Sequence, residues 1–224
     1  MVLPAGAWWF ALGSGLFHIP YVVALGWAYR HGDFSLAYPI ARGGGALLAA
    51  IGGLVLLGDE LSVLGVAAIV VVVAGMALLA RGAARAQVAA ALVVACSIGG
   101  YTLFDSHAAR EYETFMYVFA TQVVTAATAT ATGIVTGRWR DLMAVPRAAW
   151  ARMSGAAVMT IAAYGLVLVA VRRAPVGYVA ALRESSVLIA VVVGSRLLGE
   201  GNARSRTTAA ALIVSGLVLL VIAR

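Results

Sequence analysis

Three ionisable residues sit where an apolar chain has least reason to place them. Arg42, Arg183 and Glu184 each fall about a third of the way into a hydrophobic run long enough to cross a bilayer. A charge near the bilayer centre costs at least ~2.5–3.5 kcal/mol on insertion scales, so such residues pair with one another, face a cavity or hold a ligand. Arg183 and Glu184 are neighbours in sequence and point about 100° apart around a helix, so they do not face each other. Glu184 is therefore expected to pair with Arg42, to bind a cationic substrate group or to exchange a proton. A purely structural ion pair between two segments is the competing reading. In either case all three side chains are expected to point inward, near a central cavity.

Other polar residues in apolar runs have weaker claims. Asp105 ends a run in YTLFD and is read as interfacial beside Arg110, with a cavity-facing carboxylate as the alternative. His18 is the side-chain type that titrates nearest neutrality, although a lone helical histidine is more often packed and hydrogen-bonded. Pro20, two residues on, is expected to kink its helix. Tyr21, Tyr38, Tyr101 and Tyr164 are candidate cavity aromatics, equally suited to packing or interfacial anchoring. His18, Tyr21, Tyr38, Arg42, Tyr101, Asp105, Tyr164, Arg183 and Glu184 make up the candidate substrate-binding or coupling set. Thr121, Thr125, Thr128, Thr132 and Thr136 share one helical face, which is read as packing. Cys96 cannot form an internal disulfide and is read as a small buried apolar residue.

The chemistry that is missing narrows the function. HExxH and GxSxG are absent, no Ser–His or paired-Asp arrangement stands out, and no Walker A loop is present. An enzyme is not expected, nor a cofactor or bound metal, nor ATP-driven transport by this chain alone.

The elements that position these residues follow from composition. The 224 residues are 63% hydrophobic and 11% charged, against ~45–50% and ~25% for soluble domains. Mean hydropathy is +0.98. Lipid is the solvent for such a surface. Eight apolar runs reach spanning length: about 8–29, 36–57, 63–80, 87–104, 115–136, 153–171, 177–197 and 207–223. Runs of this kind are helices, because every backbone polar group must be satisfied within the segment; the strict alternation of a membrane barrel is absent. The expected fold is an all-α polytopic transmembrane helix bundle. Trp8, Trp9, Trp27, Trp139 and Trp150 fall near helix ends, as in an aromatic belt, and the polar connection 137–152 is expected to lie along the interface.

The net charge of +7 comes entirely from arginine among the basic residues. Most arginines flank apolar runs, and no nucleic-acid-binding motif accompanies them, so a nucleic-acid partner is not expected. The loops near 30–35, 81–86, 137–152 and 198–206 carry nine arginines, against four (Arg110, Arg172, Arg173, Arg224) for the opposite loops and the termini. The positive-inside rule then puts both termini outside.

The chain also repeats itself. Arg42, Gly58, Asp59 and Gly75 recur as Arg183, Gly199, Glu200 and Gly216, all at an offset of 141 residues. Tyr21 and Arg30 match Tyr164 and Arg173 at an offset of 143. Span 2 thus corresponds to span 7, an odd separation, so the copies cross the membrane in opposite directions. Inverted repeats of this sort recur among secondary transporters. Asp59 and Glu200, just past the repeat glycines, are read as helix-end turns at the membrane surface.

The runs AYRHGDFSLAYPIARG, GDELSVLG, YTLFDSHAAR and VAALRESSVLIAVVVGSRLLGE resemble the EamA-type branch of the drug/metabolite transporter superfamily. The resemblance implies two inverted five-helix repeats, transport of small metabolites, amino acids or drugs, often with proton coupling, and a cavity lined mainly by the helices equivalent to spans 1, 2, 6 and 7. It makes 1–86 an incomplete first repeat of three helices and 87–224 a second repeat of five. Two family helices are then missing ahead of span 1. A start upstream of Met1 is the favoured explanation; a homodimer or a repacked bundle are the other ways to close the gap. The resemblance implies cytoplasmic termini, whereas the arginine count, given precedence, implies the reverse. The expected function is secondary transport of small metabolites or drugs across the cell (inner) membrane by a multi-pass protein, with the bilayer and a small-molecule substrate as partners. The alternative is a non-transporting membrane subunit or remnant acting with a partner or as an oligomer.

Overall fold

The computed structural model describes residues 4–59, 62–81, 83–200 and 202–223. The expectations resting on Met1 to Leu3 and on Arg224 lie outside them. Among the described residues all regular structure is helical: α1 (Ala5–His31), α2 (Phe34–Leu56), α3 (Val63–Ala80), α4 (Arg85–Glu111), α5 (Thr114–Val135), α6 (Trp139–Met143), α7 (Arg147–Val171), α8 (Val176–Leu182), α9 (Ser185–Arg196) and α10 (Ala203–Ile222). Among the described residues eight segments are long and apolar enough to span a membrane, α8 and α9 together counting as one. The protein is an all-α, multi-pass integral membrane protein. Large apolar side chains such as Trp9, Val55, Phe115 and Leu166 lie exposed on the helices; in lipid these surfaces are solvated.

Three boundaries differ from the sequence reading. Helix α4 continues to Glu111, which makes Asp105 a mid-helix residue rather than a span end. Helix α6 occupies 139–143 and α7 begins at Arg147, so most of the 137–152 connection is helical. The seventh span breaks at Arg183 and Glu184. Cys96 is exposed, correcting its expected burial; it occupies an outward face of α4.

The chain packs as two compact units, Met1–Ile19 with Phe104–Arg173, and Pro20–Leu103 with Ala174–Arg224. Helices α1 and α4 contribute to both, and the division of α1 falls at Pro20. Helix α1 nevertheless runs on through that proline.

In the second unit the repeat glycines act as matched pairs. A Cβ on Gly75 would stand 2.9 Å from the backbone nitrogen of Ile213 and 3.0 Å from the carbonyl oxygen of Ala209. A Cβ on Gly216 would stand 2.9 Å from both the Val72 nitrogen and the Ala68 oxygen. Helices α3 and α10 therefore lie backbone to backbone, and small residues are what permit this approach in a membrane. The late part of each helix meets the early part of the other, so they run antiparallel.

The acids that follow the other repeat glycines are exchanged between copies. Gly58 and Gly199 have φ of +71° and +66°, the left-handed conformation that ends a helix and favours glycine. Past each, the acid's carboxylate reaches the start of the opposite copy. Glu200 Oε1 and Oε2 accept from the Phe34 and Ser35 backbone N–H groups at 2.9 and 2.7 Å, and Asp59 Oδ2 accepts from Val176 N–H at 3.1 Å. Neither α2 nor α8 is capped by the side chain of its own N-cap residue, Asp33 and Pro175 respectively. The open N–H groups and positive dipole of one helix start are thus satisfied by the acid that ends the other. Each carboxylate lies over a further matched glycine, Gly53 or Gly194, where a Cβ would meet it at 2.6 or 2.7 Å. The end of span 2 meets the start of span 7 and the reverse, so these two spans are antiparallel.

In the first unit, aromatic packing joins α1 to α4. Phe104 meets Phe10 and Phe17 at ring-centroid distances of 6.1 and 5.7 Å. Helix α5 is capped by Glu113, whose carboxylate accepts from the Phe115 and Met116 N–H groups at 3.1 and 2.6 Å. Lower on α5, Thr128, Thr132 and Thr136 donate back to their own helix, to the carbonyls of Thr125, Thr128 and Thr132. A hydroxyl satisfied in this way makes little demand on a neighbour.

Candidate functional site

The candidate residues fall into two groups, one within each unit. In the second unit, Arg42 on α2 faces the break between α8 and α9. At this break Arg183 N–H bonds to Ala180 O at 3.2 Å and Glu184 N–H to Ala181 O at 3.0 Å, three residues back instead of four. The next helix opens with Val187 N–H to Glu184 O at 3.0 Å. Serine competes with the helix ladder for its own backbone, and Ser186 Oγ lies 3.4 Å from Arg183 O. Irregular backbone at membrane depth is tolerated where protein buries it or where it lines a cavity.

The break places Glu184 against Arg42. Glu184 is 3% exposed, and Arg42 Nη2 donates to its Oε1 at 2.9 Å. The pair leaves one valence of each sign open: Arg42 Nε and Glu184 Oε2 are buried without a hydrogen-bond partner among the described residues. Tyr21, Tyr38 and Tyr101 lie close enough to Arg42 to interact with it electrostatically. Tyr21 and Tyr101 meet edge to face at 6.3 Å, and Tyr38 donates to Ser186 Oγ at 3.2 Å. Arg183, in the break, is half-buried.

In the first unit the centre is Asp105, 1% exposed. This corrects the interfacial reading: the carboxylate is enclosed by hydroxyls from three other helices. Tyr117 on α5 donates to Oδ1 at 2.7 Å, and Ser14 on α1 donates to Oδ2 at 3.0 Å. Tyr164 on α7 donates to Oδ2 as well. Thr121 on α5 lies 3.5 Å from both Oδ1 and Ser14 Oγ. His18 Nδ1 is 2.9 Å from the Ser14 carbonyl oxygen; a carbonyl only accepts, so Nδ1 carries the proton.

The candidate residues therefore divide: Tyr21, Tyr38, Arg42, Tyr101, Arg183 and Glu184 belong to the second unit, and His18, Asp105 and Tyr164 to the first. The structure adds Ser14, Tyr117, Thr121 and Ser186. Ser14 shares a helix face with His18, and Thr121 with Tyr117, each four residues apart; those spacings were the available signals. A cavity of about 350 Å3 is lined by His31, Asp33, Arg81, Gln87, Asn202 and Arg206 among others, and its lining includes neither Arg42 nor Glu184.

Eight membrane-spanning segments, an antiparallel duplicated helix with one copy broken, and charged groups held inside define a polytopic membrane protein of the inverted-repeat type. The EamA-like transporter family matches residues 86–222, more than half of the chain, and the chain belongs to that family. A solved structure titled only "Crystal structure of protein" has a TM-score of 0.65 at 20% identity, over 99% of this chain and 77% of that one; the likeness is one of fold. No curated protein matches significantly.

Proposed function

We propose that the protein is a secondary transporter of small metabolites or drugs, in the cell (inner) membrane, and that Arg42 and Glu184 bind the substrate. The observation that carries this reading is the half-satisfied pair: one open guanidinium N–H and one open carboxylate oxygen, side by side at a helix break. A molecule with an acceptor and a donor a few ångströms apart, an amino acid being the simplest example, meets both. In inverted-repeat carriers, sites lie where discontinuous helices expose such groups. Residues 1–86 and 87–224 are then the two repeats; packing units and repeat units need not coincide, because helices of one copy pack on those of the other.

Purified protein in liposomes loaded with a panel of amino acids, amines and carboxylates should exchange at least one class of compound above empty liposomes. Exchange indistinguishable from empty liposomes across the panel would favour a non-transporting subunit.

The arginine count places the 137–152 connection in the cytoplasm and both termini outside. A cysteine at exposed Ala148, in a Cys96→Ala background, should resist an impermeant thiol reagent in intact cells and react after lysis. Labelling in intact cells overturns this orientation and favours cytoplasmic termini.

A further inference from the structure

Asp105 and Glu184 are both buried carboxyls on membrane helices, but their surroundings differ in kind. Glu184 is held by a guanidinium, which does not lose its proton in proteins, so that pair is electrically complete. Around Asp105 the hydrogen-bonding groups are neutral hydroxyls, and among the described residues no arginine forms an ion pair with it. The titratable groups facing it are His18 on α1, Tyr117 on α5 and Tyr164 on α7. None of these is a permanent cation, and a carboxylate inside a membrane without one is costly.

We infer that Asp105 is a proton-binding site, enclosed by a cage that serves both its charged and its neutral form. Two observations support this. First, every cage member is a hydroxyl, able to donate or to accept. With the carboxylate charged, Tyr117 and Thr121 serve Oδ1 while Ser14 and Tyr164 serve Oδ2. With a proton on Oδ2, the carboxyl donates, and the Ser14 hydroxyl turns to accept. Second, the oxygens stand 2.7 and 3.0 Å from the carboxylate along Tyr117 and Ser14, and Ser14, Asp105, Tyr117 and Thr121 are at most 1% exposed. A proton fits there without displacing a side chain, whereas a metal cation must part the hydroxyls from the carboxylate. Asp105 also joins the four long helices of its unit, because α1, α4, α5 and α7 each contribute to the cage. Gain or loss of one proton changes hydrogen bonds on all four. As a coupling site Asp105 rests on the transporter reading; as a proton site it does not.

The test combines infrared spectroscopy with transport. The purified wild-type protein is titrated with pH in a chloride buffer of constant ionic strength, and the C=O stretch of protonated carboxyls is followed. The wild type should show a titrating band that is lost in Asp105→Asn and kept in Glu184→Gln. If Asp105→Asn fails to fold, Tyr164→Phe provides the reading, because loss of one donor must displace the band's midpoint. A band unchanged in Asp105→Asn, or a midpoint unmoved in Tyr164→Phe, overturns the proposal. So does a midpoint that shifts when sodium replaces choline, which would mean a metal cation competes for the carboxylate. In liposomes, Asp105→Asn should lose accumulation driven by a proton gradient and keep exchange of substrate for substrate. Wild-type uptake indifferent to the gradient, with the band still titrating, overturns the coupling role alone. A titrating band in a protein that moves no compound overturns the transporter reading and leaves the proton site standing.

Discussion

Arg42→Ala is expected to abolish transport and to lower stability by about 3–5 kcal/mol, the usual cost of removing one partner of a buried ion pair. The cost arises less from the lost attraction than from what remains: Glu184, with its side chain 5% exposed, would keep a buried carboxyl without its hydrogen-bonded partner. Glu184→Gln should be milder on stability, since Arg42 keeps 21% of its side-chain surface accessible and a long stem with which to reorient. Transport should be lost in both. The decisive variant is the double replacement Arg42→Met with Glu184→Met. An apolar pair of similar volume often restores or exceeds the stability of a buried ion pair, so the thermal midpoint in detergent should recover. Uptake should not, because the open N–H and carboxylate oxygen are both gone. A stable double variant that still transports would reduce the pair to a structural tie between the repeats.

Gly216→Leu should be the most damaging single change outside that pair. Its side chain must occupy space held by the backbone of Ala68 and Val72, and backbone atoms cannot rotate aside as a flexible side chain can. Overpacking alone costs ~1–3 kcal/mol; here the two helices must also separate along their contact, so folded yield should collapse. Gly75→Leu should have a comparable effect through Ala209 and Ile213. The double variant should be less than additive, because both changes open one interface. Gly155→Leu is the control: a Cβ there meets nothing within 4 Å, and the variant should melt with the wild type. Equal melting of Gly216→Leu and Gly155→Leu would mean that α3 and α10 are not packed as described.

The spans were legible because the solvent imposes them. Apolar runs of about twenty residues with few charges have one backbone solution in lipid, and the eight spans follow the runs to within a few residues, apart from the helical extensions of α4 and α7. The inverted repeat was legible too. The glycines and acids recur at a constant offset because each has a fixed mechanical duty: Gly58 and Gly199 end a helix, Gly75 and Gly216 admit a neighbour's backbone, and Asp59 and Glu200 cap a helix start. Cost marked Arg42 and Glu184, since charge in an apolar run is rare without a use. What the sequence could not settle was how far a helix continues through polar residues and which polar groups meet. Asp105 was read as the end of a span because hydropathy falls there, yet the 105–111 segment keeps its helix, and the carboxylate is enclosed by hydroxyls from 12 to 91 positions away in sequence. A serine, a threonine or a tyrosine carries no mark in its own neighbourhood that it will serve a distant carboxylate. The break at Arg183 and Glu184 was hidden for a similar reason: the two serines that follow permit a break without requiring one, and the helix opens where the facing guanidinium of Arg42 offers the carboxylate a partner.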